Sequence, residues 1–203
     1  MEIPVNTEER IRLAAQHVFQ KKGLSGARMQ DIADEAGINK AMLHYYFRSK
    51  EKLFDLVFLE SFQKIFPKIN SILTSEDNLF QKIEHFVFEY ITVINQNPHL
   101  PLFVVNELAK NPELFLQKLF STNEGAPKVD KLIKQIEEEI NKGTILPIKP
   151  VNLFLNIISL CVFPYVGKPL VQIILNMDDE QYKGLLEQRK QEVLGFVLNA
   201  IKA

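Results

Sequence analysis

The residues best suited to chemistry stand at 38–53, INKAMLHYYFRSKEKL. A histidine and three aromatics run together as His44-Tyr45-Tyr46-Phe47, and Lys40, Arg48, Lys50 and Lys52 face a single acid, Glu51. Such a set donates hydrogen bonds rather than making or breaking covalent ones. Lysine, histidine and tyrosine donate to phosphate oxygens, and lysine also reaches guanine O6 and N7. On a helix begun by an Asn39 cap, Lys40 and His44 lie four residues apart, as do Ala41 and Tyr45. Those four share an outer side, with Met42 and Tyr46 at its margins, while Leu43 and Phe47 share a face that must be buried. Ala41 or Met42 can lie against a thymine methyl. Ser49 and Lys50 open the following helix, whose first N–H groups favour a phosphate. The same residues also suit a different role, a cap on a helical bundle with its tyrosines half-buried at a domain junction.

Two elements must hold that segment in place. ARMQDIADEAG places Met29, Ile32, Ala33 and Ala36 inward, and Gly37 stops it in a left-handed turn. Helix, tight turn and helix form the helix-turn-helix pattern. Before it, TEERIRLAAQHVFQKKG spaces Ile11, Ala14, Ala15, Val18 and Phe19 as one apolar stripe, with Thr7 as a cap and Gly23 as a stop. Past Ser49 a long helix runs to Pro67, followed by helices at about 77–96, 100–120 and 127–142. Breaks fall at Asn97-Pro98, at Gly125-Ala126-Pro127 and from Gly143 to Pro150. An apolar helix from about 150 is interrupted by Pro164, Gly167 and Pro169, and a last one starts at Asp178, with Gln181 completing a capping box. No stretch alternates with period 2, so the expected class is all-α.

Composition narrows the possibilities. The chain has 203 residues, 46% of them hydrophobic and 24% charged, with a net charge of −1. That supports a real core and argues against both disorder and a bulk electrostatic grip on nucleic acid. LFLNIISLCVF, at 153–163, falls short of the ~20 residues a membrane helix needs. MEIPVNTEER lacks the basic-then-apolar pattern of a signal peptide, so a cytoplasmic location is expected. The lone cysteine, Cys161, reads as a buried thiol. None of His17, His44, His85 and His99 has a Glu three residues before it, and no HExxH, CxxC, P-loop or Rossmann glycine pattern occurs. His85 and Glu89 read as an ordinary i,i+4 contact. No enzyme, metal or cofactor is expected.

Asp31-Ile32-Ala33, Ala36-Gly37-Ile38-Asn39, Lys40 through Phe47, and Ser49-Lys50-Glu51-Lys52-Leu53 together resemble the DNA-binding domain of the TetR/AcrR family of bacterial transcriptional regulators. The likeness covers about residues 7–56, a quarter of the chain. There are departures. Ala41 stands where the family often has Gly, and Met42 where it has Ser or Thr. Those two changes bear on base readout and on one hydroxyl contact to phosphate, whereas His44 and Tyr46 exchange the usual Tyr and His and both can still donate to phosphate. Ala27 replaces a frequent Thr cap, Gln30 occupies a polar groove position, and Arg28 can reach the backbone nearby. The resemblance implies DNA contacts from Arg28, Gln30, Asn39, Lys40, Ala41, Met42, His44, Tyr45, Tyr46, Ser49 and Lys50. It implies a helix-turn-helix domain at 1–48 and an effector-binding and dimerisation domain at 49–203, with the helix from Ser49 shared between them as a lever.

By the same resemblance, helices at about 150–175 and 178–201 pair with those of a second copy, so that a homodimer reads a palindromic operator in double-stranded DNA. Repression released by a small effector is the family default. Fifteen phenylalanines and no tryptophan suggest a mostly apolar ligand. Its walls would come from Phe62, Phe66, Phe86, Tyr90, Phe103, Phe154 and Tyr165, and polar anchors from Glu89, Asn106 and Glu107. A helical protein-interaction module whose helix-turn-helix no longer reads DNA is the competing expectation.

Overall fold

The computed structural model describes residues 6–120 and 126–203. These form helices α1 (Thr7–Gly26), α2 (Met29–Glu35), α3 (Lys40–Tyr46), α4 (Lys50–Thr74), α5 (Leu79–Gln96), α6 (Leu100–Lys110), α7 (Pro112–Phe120), α8 (Val129–Asn141), α9 (Pro150–Val166), α10 (Lys168–Leu175) and α11 (Asp179–Ile201). The all-α expectation holds, and among the described residues the β pairing is an isolated bridge between Ile145 and Lys202. The chain separates into two compact units, Met1–Lys64 and Ile65–Ala203, so the division falls inside α4. The start of the segment read for a targeting signal, and Gly125 of one expected break, lie outside the described residues.

In the N-terminal unit, Ile11, Ala14, Ala15, Val18 and Phe19 of α1 are buried with Ile32, Ala33 and Leu43 of α2 and α3 and with Leu53, Phe54, Val57 and Phe58 of α4. Phe19 meets Phe54 edge-on with ring centres 4.8 Å apart. Asn6 caps α1, accepting from the Glu9 N–H at 2.8 Å; the expected cap, Thr7, is already the first helical residue. Gly23 bends α1 with φ +63° rather than ending it. Arg12 of α1 and Glu60 of α4 pair at 3.1 Å.

In the C-terminal unit, α5, α8, α9 and α11 enclose one core that includes Ile83, Phe86, Val87, Ile91, Leu132, Ile136, Leu153, Ile157, Cys161, Val193 and Val197. Buried Lys82 closes the end of α4, donating to the carbonyls of Leu73 (3.3 Å) and Ser75 (2.8 Å), where the helix dipole favours a cation. Desolvation holds its ammonium below the usual lysine range.

Three prolines depart from expectation. Pro67 does not end α4, because Phe66, Ile69 and Leu73 are buried around it and hold the helix through it. The expected 100–120 helix is two, broken at Asn111-Pro112. Proline drives its predecessor out of the helical region, and Asn111 sits at φ −154°, ψ 85°. Pro164 lies inside α9, and the break comes only at Gly167. Lacking an N–H, Pro164 leaves the Leu160 carbonyl without its helical donor. Arg189 of α11 supplies two, Nε at 3.1 Å and Nη2 at 2.8 Å. The carbonyl of Pro164 itself accepts from the buried Tyr182 hydroxyl at 2.6 Å. Asp178 and Gln181 form the expected capping box at the start of α11.

Candidate nucleic-acid interface

The turn between α2 and α3 follows from its sequence. Gly37 takes φ +63°, and two bonds close the end of α2: Gly37 N–H to the Asp34 carbonyl at 3.1 Å and Ile38 N–H to the Ala33 carbonyl at 3.0 Å. Asn39 then caps α3 as expected, its Oδ1 accepting from the Met42 N–H at 2.7 Å. The seven residues of α3 make a rod about 10 Å long, of which Leu43 alone is buried. Lys40, Ala41, Met42, His44, Tyr45 and Tyr46 are all exposed. Tyr45 is 82% exposed, far more than a tyrosine buried at a junction would be. It meets Tyr46 edge-on at 5.5 Å. Phe47 is half-buried and caps the end of α3 instead of continuing its buried face.

The flanking residues take more local roles. The Arg28 N–H donates to Asp31 Oδ2 at 3.0 Å, which ties Asp31 to the start of α2, and the Arg28 side chain is exposed. Lys22 pairs with the same carboxylate at 3.0 Å. The Lys22 bond, and then the Arg28 N–H, hold the Asp31 carboxyl below its usual range. Gln30 donates to Asp34 at 2.7 Å. Ser49 Oγ accepts from the Lys52 N–H at 3.1 Å, capping α4. Lys50 reaches back to the Ala27 carbonyl at 3.0 Å, which leaves a lysine ammonium two further protons to donate. One residue was not anticipated: Arg10 of α1 donates from Nη2 to the Ala36 carbonyl at 2.6 Å and to that of Gly37 at 3.5 Å.

The effector candidates fall into separate groups. Phe86 stacks on Tyr90 at 5.4 Å and lies 6.1 Å from Phe154, joining α5 to α9. Phe66 faces Phe120 at 6.2 Å, and Phe103 meets Phe115 at 5.9 Å. Phe62 belongs to the N-terminal unit and is half-buried. The Tyr165 hydroxyl donates to Asn95 at 2.6 Å. Burial pushes the hydroxyls of Tyr90 and Tyr165 up to about 12. Glu89 pairs with Lys68 at 3.1 Å beside an open groove lined by Pro67, Ser71 and Ile72, so the expected His85–Glu89 contact is replaced. His85 instead meets Asp77 at 3.1 Å. Glu107 pairs with Lys110 at 2.8 Å, and Asn106 is exposed. No group of acids, histidines and cysteines suited to a metal occurs among the described residues. Likewise, no single helix among them is long and apolar enough to cross a membrane.

A short exposed helix held by a glycine turn against two others defines a helix-turn-helix DNA-binding domain. Residues 11–57 match the family described as bacterial regulatory proteins, tetR family. The chain is 26% identical over 193 residues to a probable HTH-type transcriptional regulator, YttP, of Bacillus subtilis, covering 92% of this chain and 91% of that one. It is 34% identical over 87 residues to the HTH-type transcriptional repressor NicS of Pseudomonas putida, spanning 41% of each. Among solved structures, a TetR/AcrR-family regulator of Thermobifida fusca superposes with a TM-score of 0.63 at 17% identity, over 92% of this chain and 96% of that one. Residues 11–57 thus match the DNA-binding domain of the TetR family, and the chain as a whole shares the fold of a TetR/AcrR-family regulator. It is a DNA-binding transcriptional regulator.

Proposed function

We propose that the protein is a homodimeric repressor that reads a palindromic operator through α3 and lets go when a small, mostly apolar effector binds its C-terminal unit. The observation that carries this reading is the outer face of α3, where Lys40, His44 and Tyr45 are exposed together on a helix anchored by Leu43. Lys40 and His44 face base edges or phosphates, Ala41 and Met42 face thymine methyls, and Tyr45 and Tyr46 clamp the sugar-phosphate backbone. Arg28, Gln30, Ser49 and Lys50 flank it, and Asn39 serves the interface by shaping the helix.

Dimerisation is supported by an apolar surface no single chain needs. Val151, Leu155 and Phe163 of α9, Leu170, Ile173 and Ile174 of α10, and Phe196 of α11 are each more than half exposed. Two-fold pairing there gives two reading helices and hence a palindromic site. The Phe86, Tyr90 and Phe154 cluster is the favoured effector wall, since it gathers aromatic surface and a tyrosine hydroxyl in one core. Release follows from linkage: an effector that prefers the non-binding geometry lowers DNA affinity by the same factor. The IcaR of Staphylococcus aureus, 26% identical over 129 residues and 62% of each chain, is a negative transcriptional regulator, and NicS is a repressor; both support the sign of control. A cytoplasmic location accords with this role.

The test is an anisotropy titration of labelled DNA from upstream of the protein's own gene against scrambled competitor, at two salt concentrations. The expected result is a preference for the native fragment, lost in Lys40→Ala and Tyr45→Ala while sedimentation still gives a dimer. Unchanged affinity in both variants would overturn the assignment of the reading face.

A further inference from the structure

We propose that Arg10, in the first helix, is a positioning residue for sequence readout: its guanidinium sets the α2–α3 turn and so the angle at which α3 is presented. This rests on α3 being the reading helix. Arg10 lies 26 residues before Ala36, yet its Nη2 donates to the Ala36 carbonyl at 2.6 Å and touches that of Gly37 at 3.5 Å. Ala36 caps the end of α2, where carbonyls lack helical donors and the dipole is negative, so a cation is favoured there. A charged donor at that distance makes one of the stronger kinds of protein hydrogen bond.

Gly37 is adapted to the same contact. Beyond its positive φ of +63°, a Cβ there would stand 3.3 Å from Arg10 Nη2. The turn therefore leaves room for the guanidinium as well as reversing the chain. Orientation matters here because α3 has little else to fix it. Its seven residues bury one side chain, Leu43, and its start is held by Asn39. A rod about 10 Å long, fixed at one packing point, takes its angle from the turn that enters it.

Arg10 is itself an exposed residue in a DNA-binding unit, so the competing role is a direct phosphate contact. The two differ in what they do to salt dependence. A phosphate contact contributes about one counterion to the slope of log K against log salt and strengthens all DNA alike. A positioning residue leaves that slope alone and acts on sequence preference, because base-edge contacts depend on helix angle.

The experiment uses the full chain with Arg10→Ala, Arg10→Lys and Arg10→Met, titrated with operator and scrambled DNA across a salt series. Amide exchange is followed at Gly37 and Ile38, whose N–H groups close the turn. The expected result is about a tenfold loss of operator affinity in Arg10→Ala, partial rescue by Arg10→Lys, unchanged binding to scrambled DNA and an unchanged salt slope. Protection at Gly37 and Ile38 falls while that of the α1 core amides holds. A slope reduced by about one, with operator and scrambled DNA weakened equally, would make Arg10 a phosphate contact and overturn the proposal. So would unaltered operator affinity. If Arg10→Ala loses helix content, Arg10→Met keeps the aliphatic stem and answers the same question. If the wild-type chain prefers no DNA, the readout assignment has failed, and exchange at Gly37 and Ile38 still decides whether Arg10 holds the turn.

Discussion

Asn39→Ala should loosen the reading helix without unfolding the protein around it. Asn39 Oδ1 accepts from the Met42 N–H at 2.7 Å, one of the amides that the first turn of a helix leaves without an intrahelical partner. Removing an Asn cap costs about 1 kcal/mol, roughly a fivefold change in an equilibrium. In a long helix the loss would be diluted. In α3, seven residues with one buried side chain, it falls on an element with little else to hold its start. Protection of the Met42 amide against exchange should drop about fivefold, and affinity for operator should fall by no more than that factor, since DNA selects the helical form. Asn39→Asp keeps the acceptor and adds a negative charge beside the phosphates. Its Met42 protection should match wild type while its affinity falls, most at low salt. Native-state hydrogen exchange with DNA titration reads both arms. Unchanged Met42 protection in Asn39→Ala would refute the idea that this cap sustains α3.

Two further tests concern the C-terminal unit. Tyr182→Phe removes the hydroxyl that donates to the Pro164 carbonyl at 2.6 Å. Leaving that acceptor unpaired should cost about 1–2 kcal/mol and lower Tm by about 3–6 °C at fixed protein concentration, measured by circular dichroism. The Cys161 thiol, pushed by burial from 9.0 up to about 12, stays protonated in the fold at pH values where an unfolded chain releases its proton. Its contribution is whole below about pH 9 and declines as pH rises toward 12, and buried Tyr90 and Tyr165 act with the same sign above about pH 10. Cys161→Ala should therefore show a shallower fall of Tm between pH 9 and 10 than wild type, whatever its starting Tm. Parallel slopes would remove Cys161 from the explanation.

The reading unit was legible because local rules and burial agree there. The stripe from Ile11 to Phe19, the Gly37 stop and the Asn39 cap are each set within a few residues, and each stands where its pattern places it. Arg10 was not legible, since nothing in TEERIRL points to a carbonyl 26 residues away. Lys50 is expected among the DNA contacts, and its bond to the Ala27 carbonyl is likewise a matter of tertiary approach. The break at Asn111-Pro112 has a local signal, the same Asn-Pro pair that marks the end of α5. Pro67 misled in the opposite sense, because proline's local penalty was outweighed by buried neighbours on both sides. Among the effector candidates, helical spacing found aromatic residues but could not say which would meet. Phe86, Tyr90 and Phe154 come together from two helices, while Glu107 and Glu89 are taken up by lysines.

Arg189 and Pro164 constrain the order in which this protein can change. If Pro164 is replaced first, the new residue restores an N–H to the Leu160 carbonyl, and the arginine becomes a spare donor. If Arg189 is replaced first, the carbonyl is left with neither the helix's own donor nor the guanidinium. The route that loses the proline before the arginine thus keeps the Leu160 carbonyl paired at each step, and the reverse route passes through a damaged intermediate. Across relatives, chains with the arginine and no proline should outnumber chains with the proline and no arginine.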